Sequence, residues 1–267
     1  MKYLILSFIT ALALIRPVAA QIQVSCRVEP QRAVLHEPVI ATVRVSNNTG
    51  QTITLRDDRP GARLWLSIEQ SPGRPIRQTA PFLLGEPMVI PAHQSVTRRI
   101  NITQSYDLRQ TGPYTVRARV DWAGETFMSG NIYLDVVPGL EIDRLTGAAA
   151  EDGSGRRLYR LLTLNRERGE HLFLRIDDQE QGLCYGVIHL GRSLRSQGIT
   201  MQLDASNRIN VLHQSGPGRY LHHVVSPNGN VVTRRAYTSD EPGVSLSRGR
   251  DGRMIVDGAT TSLQDDP

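Results

Sequence analysis

Across 267 residues the chain carries two cysteines, 39% hydrophobic and 5% aromatic residues and a formal charge of +5, the composition of a globular chain with few core aromatics. Its basic residues are one lysine, Lys2, and 30 arginines, so without residues 1–20 it holds 29 Arg against 26 acids, a charge of +3. The missing lysine excludes Schiff-base chemistry, pyridoxal phosphate attachment and a P-loop lysine, and so dilute a charge does not supply the clustered cations of a nucleic-acid surface.

Residues 1–20 run from Met1-Lys2 through an apolar stretch, Tyr3 to Ile15, to Arg16-Pro17 and the small residues Val18-Ala19-Ala20. Those are the charged, apolar and small-residue regions of a secretory signal peptide, with cleavage after Ala20. The apolar run has 13 residues, fewer than the roughly 20 that cross a bilayer as a helix. No later stretch is apolar enough to span, so the mature chain is expected to be secreted or periplasmic, without a transmembrane anchor. In an oxidising compartment Cys26 and Cys184 can form one disulfide; as small residues among strand-like neighbours they can equally stand apart. Two thiols alone make no zinc site, and no C-x-x-C is present.

From Gln21 to Val137 short alternating runs read as strands: Gln21–Val28, Val39–Ser46, Gln51–Arg56, Leu64–Gln70, Val96–Ile102, Tyr114–Asp121 and Asn131–Val137. Turn signals separate them, among them Asn47-Asn48-Thr49-Gly50, Arg59-Pro60-Gly61, Ser71-Pro72-Gly73 and Trp122-Ala123-Gly124. Seven or so strands without a helical period predict a two-sheet antiparallel sandwich. Thr111-Gly112-Pro113-Tyr114-Thr115-Val116-Arg117-Ala118 resembles the tyrosine corner of immunoglobulin-like and fibronectin III-like domains. His36-Glu37-Pro38-Val39-Ile40, leading to Val43-Arg44-Val45-Ser46-Asn47-Asn48, is similar to the second strand and turn of bacterial extracytoplasmic sandwiches and of some proteinase inhibitors of that build. The resemblance covers the first half and implies a sandwich in which Tyr114 is a structural anchor. Position 116 is Val where antibody domains carry a cysteine, so the antibody-type bridge is absent.

The stretch 146–155, TGAAAEDGSG, reads as a linker. The expected division is signal peptide 1–20, Ig-like sandwich 21–138, linker 139–157, hairpin domain 158–262 and tail 263–267, with a short strand admitted at Leu140–Leu145. The hairpin domain contains a repeat: Asn207-Arg208-Ile209-Asn210-Val211, Gly229-Asn230-Val231-Val232-Thr233 and Gly252-Arg253-Met254-Ile255-Val256 each restart a strand after a tight turn. Spacings of 22 and 23 give a β-meander of propeller-blade-like units, too short to close a propeller. The predicted class is all-β.

Among residues that can carry chemistry, strand alternation and a turn near Pro217 place His213 and His223 on one face and His222 on the other. With His189 as a third ligand, those imidazoles are the candidate metal site; two ligands on neighbouring strands leave a tetrahedral site half empty, and no metal or cofactor is expected. The Asp177-Asp178 pair and Asp204 read as turn carboxylates rather than a catalytic acid and base. Arg98-Arg99, Arg156-Arg157 and Arg234-Arg235 can grip carboxylate or phosphate groups on a partner, each pair splitting its charge over two faces. Arg234, Arg235 and Trp65 are the candidate binding residues, Trp65 by stacking on sugars unless it packs in the core. The function these features favour is a non-catalytic binding or assembly module for a protein or glycan partner. The alternatives are an enzyme with a metal or carboxylate site in the hairpins, or a protease inhibitor presenting a sandwich loop.

Overall fold

The computed structural model describes residues 22–56, 61–71, 73–80, 86–149, 155–167, 169–194 and 198–262. The expected leader, its cleavage point, Arg59-Pro60 and the tail 263–267 lie outside them. In chain order the first strands are β1 (Ile22–Glu29), β2 (Arg32–Val34), β3 (Ile40–Asn47), β4 (Ile53–Leu55), β5 (Ala62–Ser71), β6 (Arg74–Pro75), β7 (Met88–Ile90) and β8 (Ser95–Asn101). One helical turn, α1 (Ile102–Ser105), precedes β9 (Gly112–Trp122), β10 (Glu125–Met128), β11 (Ile132–Val137), β12 (Leu140–Ala148), β13 (Arg156–Arg166), β14 (Gly169–Asp178) and β15 (Cys184–Arg192). The last are β16 (Thr200–Leu203), β17 (Ile209–Gly216), β18 (Arg219–Val225), β19 (Val231–Thr238), β20 (Ser245–Arg248), β21 (Met254–Asp257) and β22 (Thr260–Thr261). The fold is all-β.

Contacts divide the chain into two compact units. The first holds the described residues up to Glu29, with Ile40–Ser105 and Tyr114–Tyr133; the second holds Pro30–Val39, Tyr106–Pro113 and everything from Leu134 onward.

In the first unit β3 runs antiparallel between β1 and β8. Strand β5 runs antiparallel between β9 and β6, and β10 folds back on β9. The register Leu64↔Val120, Leu66↔Ala118 and Ile68↔Val116 sets those six buried residues opposite one another on one face, the cross-strand packing that stabilises a sheet. Tyr114 begins the buried series of β9. Asn47 ends β3 fully buried: its amide nitrogen donates to the carbonyls of Gln51 (2.8 Å), Ile90 (3.0 Å) and Pro91 (3.1 Å), and its Oδ1 accepts from the Thr49 N–H at 2.9 Å. Although Asn47-Asn48-Thr49 fits a glycosylation pattern, this side chain is a turn staple with no accessible amide.

Trp65 departs from the core packing its strand pattern suggests. It lies half-buried on the face of β5 opposite Leu64 and Leu66, between the guanidinium groups of Arg63 (5.4 Å) and Arg119 (4.9 Å), and its Nε1 donates to Asp121 Oδ2 at 3.0 Å. Alternation decides this: Leu64, Leu66 and Ile68 occupy the buried face, so position 65 points outward.

In the second unit β2 pairs in parallel with β11. Strands β12–β13–β14–β15 form an antiparallel meander, and β16–β17–β18–β19–β22 form a second. The expected linker 139–157 therefore contains β12, which pairs with β13 from Leu140↔Thr163 to Ala148↔Arg156 across one bulge. The two meanders share a core of Tyr159, Leu161, Leu172, Leu174, Ile176 and Leu190 with Met201, Ile209, Val211 and Val225. On the other face of the second meander, Leu212, Tyr220 and Tyr237 pack against Leu246 and Met254 of the β20–β21 hairpin. The blade-like units thus stack as facing sheets.

The sequence repeat is one turn used three times. Asn207, Gly229 and Gly252 adopt φ of 56°, 82° and 78°, in the left-handed region, and their N–H groups donate to the carbonyls of Asp204, Ser226 and Gly249 at 3.1, 2.9 and 3.0 Å. Each turn is closed by a second bond, from Asp204, Ser226 and Gly249 N–H to the carbonyls of Arg208, Asn230 and Arg253. Asn and Gly are the residues that tolerate this conformation.

Cys26 and Cys184 are free thiols, so the possible bridge is not formed. Each serves as a half-buried strand residue, Cys26 opposite Val43 and Cys184 opposite Asp177. Burial pushes the Cys26 thiol up to about 11 and raises that of Cys184.

Candidate functional site

The register of β13 with β14 places Arg157 opposite Asp178 at the open end of that hairpin. Both are buried, and the Arg157 Nη1 donates to Asp178 Oδ2. A buried charge is tolerable only when paired and hydrogen-bonded, and here local backbone engages both Asp178 Oδ1 and Arg157 Nε. Asp178 Oδ1 accepts the N–H groups of Glu180 (2.8 Å) and Gln181 (2.9 Å), because the chain turns tightly there, the Gly182 N–H donating to the Asp178 carbonyl at 3.0 Å. Arg157 Nε donates to the Pro227 carbonyl at 3.3 Å, which brings the Ser226–Asn230 turn of the β18–β19 hairpin to the same place. The Gln181 N–H, and after it the Glu180 N–H and the guanidinium, hold the Asp178 carboxyl below the usual carboxylate range against the opposing effect of burial.

Tyr185, on β15, lays its ring 4.0 Å from the Arg157 guanidinium and remains 44% exposed. Tyr185, Arg157, Asp178, Gln181, Ser226 and Asn228 line a cleft of about 720 Å³, the size of a small-molecule or oligosaccharide subsite. The arrangement offers a flat apolar surface backed by a fixed cation, with amide and hydroxyl groups around it. A second cleft of about 800 Å³ runs along Ile22–Ser25 of β1 and Thr126–Met128 of β10 in the first unit, with Arg44 its charged side chain; no comparable set of fixed polar groups converges there.

Of the residues singled out from sequence, Arg157 and Asp178 line this cleft; the histidines, Arg234 and Arg235, Trp65 and Asp204 do not. His213 and His223 do share a face: Val211 pairs with His223 and His213 with Leu221, and the two rings stack 5.6 Å apart at 12°. Both are buried in the inter-sheet core, His213 Nε2 lying 3.2 Å from the Leu190 carbonyl. His222, on the other face, lies 3.0 Å from Asn210 Oδ1 and is buried too. His189 pairs with His171, Nε2 to Nδ1 at 2.8 Å, and its ring packs on Phe173. Burial holds His213 and His222 down to about 4 and His223 down to about 3. Among the described residues no three His, Cys, Asp or Glu side chains gather in a metal-binding group. Arg234 and Arg235 are both exposed, paired with His223 and His222 and so on opposite faces.

Asp177 is held by Arg175 (2.8 and 3.0 Å) and by Arg160 at 3.3 Å, and Asp204 caps its own turn through the N–H groups of Ser206 and Arg208. Sequence reasoning passed over Tyr185 and Asn228. The available signals were Arg157 in an Arg pair and Asn228 in a turn, but nothing in the sequence joins positions 157, 185 and 228.

No family model matches the chain, and no curated protein matches it. Among solved structures it is similar to the crystal structure of the periplasmic chaperone SfaE, at 11% identity and a TM-score of 0.24, over 79% of this chain and 97% of that one. Among the described residues no helix is long and apolar enough to cross a membrane.

Proposed function

We propose that the protein is a secreted or periplasmic binding module, without catalytic activity at this cleft, whose partner is a neutral glycan. The observation that carries the reading is the exposed Tyr185 ring stacked on the buried Arg157–Asp178 pair at the mouth of a polar cleft. A sugar presents C–H groups on one face and hydroxyls around its edge, so it needs a flat apolar platform ringed by donors and acceptors. Tyr185 supplies the platform; Asn228, Gln181 and Ser226 supply both kinds of hydrogen-bonding group. The buried Arg157 and Asp178 charges cancel and the further charged lining residue is the exposed acid Glu180, which disfavours an anionic ligand. A catalytic role for Asp178 is disfavoured because its Oδ1 accepts two N–H groups and its Oδ2 accepts Arg157, leaving the carboxylate ionised and engaged. Residues 1–20, with the three regions of a signal peptide, support export.

The test is retention of the full chain on an array of neutral and charged oligosaccharides, repeated with Tyr185→Ala and Asn228→Ala. Binding to neutral oligosaccharides, lost at least tenfold in both variants with unchanged thermal unfolding, is expected. No retention of any neutral oligosaccharide, or equal retention by the variants, contradicts the reading.

A further inference from the structure

The outer face of the β1–β3–β8 sheet, in the first unit, carries more positive charge than its own acids balance. The registers set Arg27 opposite Thr42 and Thr42 opposite Arg99, and in the next row of the same face set Ser25 opposite Arg44 and Arg44 opposite Thr97. Side chains alternate along a strand, so the three arginines share one face, with Cα atoms about 8 to 10 Å apart from strand spacing and rise. The opposite face holds the buried Val28, Ala41, Val43 and Val45, and Arg27, Arg44 and Arg99 are all exposed. Glu29 is the one acid in the three strands, and it pairs with Arg27. Arg44 and Arg99 have no acid partner among the described residues. Charged side chains on edge strands guard against the addition of another strand, which accounts for Arg27 on β1 and Arg99 on β8. It does not account for Arg44, which stands on the central strand.

We infer that this face is a docking surface for an anionic polysaccharide, separate from the Tyr185 cleft and its neutral ligand. Guanidinium offers paired donors to sulfate and carboxylate groups, and three of them spread over a flat sheet suit charges repeated along a polymer. The hydroxyls of Ser25, Thr42 and Thr97 stand between the cations and both donate to and accept from sugar hydroxyls. Other polyanions fit this face less well. A membrane surface is held by apolar side chains as well as charge, and none of the exposed large apolar side chains lies on these strands. Single-stranded nucleic acid is held by aromatic platforms, and the three strands contain no aromatic residue. Because Arg44 and Arg99 are not fixed by partners, the binding is electrostatic and weakens steeply with salt.

The dissociation constant of the full chain on immobilised heparin, polygalacturonate, neutral dextran, duplex DNA and phosphatidylglycerol vesicles, each measured over a series of salt concentrations, tests this. Binding to heparin or polygalacturonate is expected, with the plot of log Kd against log salt shallower by about one in each of Arg27→Gln, Arg44→Gln and Arg99→Gln. The triple variant is expected to bind about tenfold more weakly or worse, whereas Arg235→Gln and Tyr185→Ala bind as the parent does. Heparin alone identifies sulfate as the group recognised, polygalacturonate alone identifies carboxylate, and either result supports the surface. Absence of binding to both, or equal binding by the triple variant with its thermal unfolding unchanged, overturns it. Tighter binding to DNA or to the vesicles than to either polysaccharide overturns the partner assigned. Loss of heparin binding in Tyr185→Ala, with the triple variant unaffected, moves the ligand to the other cleft and overturns it too.

Discussion

At the scale of single residues, two kinds of buried polar side chain, a tyrosine and three histidines, lead to measurable consequences of opposite sign. Tyr159 is fully buried in the core between the meanders, its hydroxyl has no hydrogen-bond partner, and burial pushes its ionisation up to about 12. Removing an unsatisfied buried hydroxyl removes a desolvation cost, so Tyr159→Phe is expected to stabilise the protein by about 1 kcal/mol in urea unfolding. Loss of stability in that variant contradicts this account of the core. The buried imidazoles act the other way. His213, His222 and His223 have ordinary values near 6.5 when unfolded and are held at about 4, 4 and 3 when folded. Between those limits the unfolded chain binds more protons, so stability is complete above about pH 6.5 and is lost as pH falls toward 4. A drop on the order of a few kcal/mol between pH 7 and pH 4.5 is expected, with a shallower slope in the His213→Leu, His223→Leu double variant. A slope unchanged by that substitution refutes the assignment.

At the scale of elements, the repeated turn separates backbone strain from steric conflict. A Cβ on Gly229 meets nothing nearer than Ile176 Cδ1 at 3.8 Å, whereas one on Gly252 stands 2.5 Å from the Ala205 Cβ. Gly229→Ala is expected to cost about 1 kcal/mol, the left-handed backbone penalty alone, and Gly252→Ala clearly more, as read from thermal unfolding. Equal losses remove the contact from the explanation. The repeat was legible in sequence because its determinants are local: a turn residue and the alternation after it. The shared face of His213 and His223 was legible for the same reason, since parity and the turn at Ser215–Gly218 determine it. Strand β12 was half legible. Its small residues, Thr146, Gly147 and Ala148, look like a linker, yet position 147 is closely packed: a Cβ there comes 2.7 Å from Leu203 Cδ1 and 3.2 Å from Tyr159 Cε2. Small residues that admit a neighbouring strand and small residues that make a flexible bridge read alike until the neighbour is known.

At the scale of the whole chain, the all-β class follows from alternation throughout, but the division into units does not run at a single point. Pro30–Val39 and Tyr106–Pro113 belong with the second half of the chain, as in the buried pairing of Glu37 with Arg166 and the parallel pairing of β2 with β11. Such contacts join positions more than a hundred residues apart, which periodicity does not encode. The Tyr185 cleft is hidden for the same reason: Arg157, Tyr185 and Asn228 meet only because two hairpins of the second unit end at one place. Sequence directs attention instead to Trp65, which is occupied by Arg63, Arg119 and Asp121. That contrast sets the deciding measurement, chemical-shift mapping of the full chain with a neutral oligosaccharide retained on the array. Perturbation centred on the Tyr185 ring and the Asn228 amide is the expected result; perturbation centred on Trp65, or none at Tyr185, contradicts the assignment of the cleft as the glycan site.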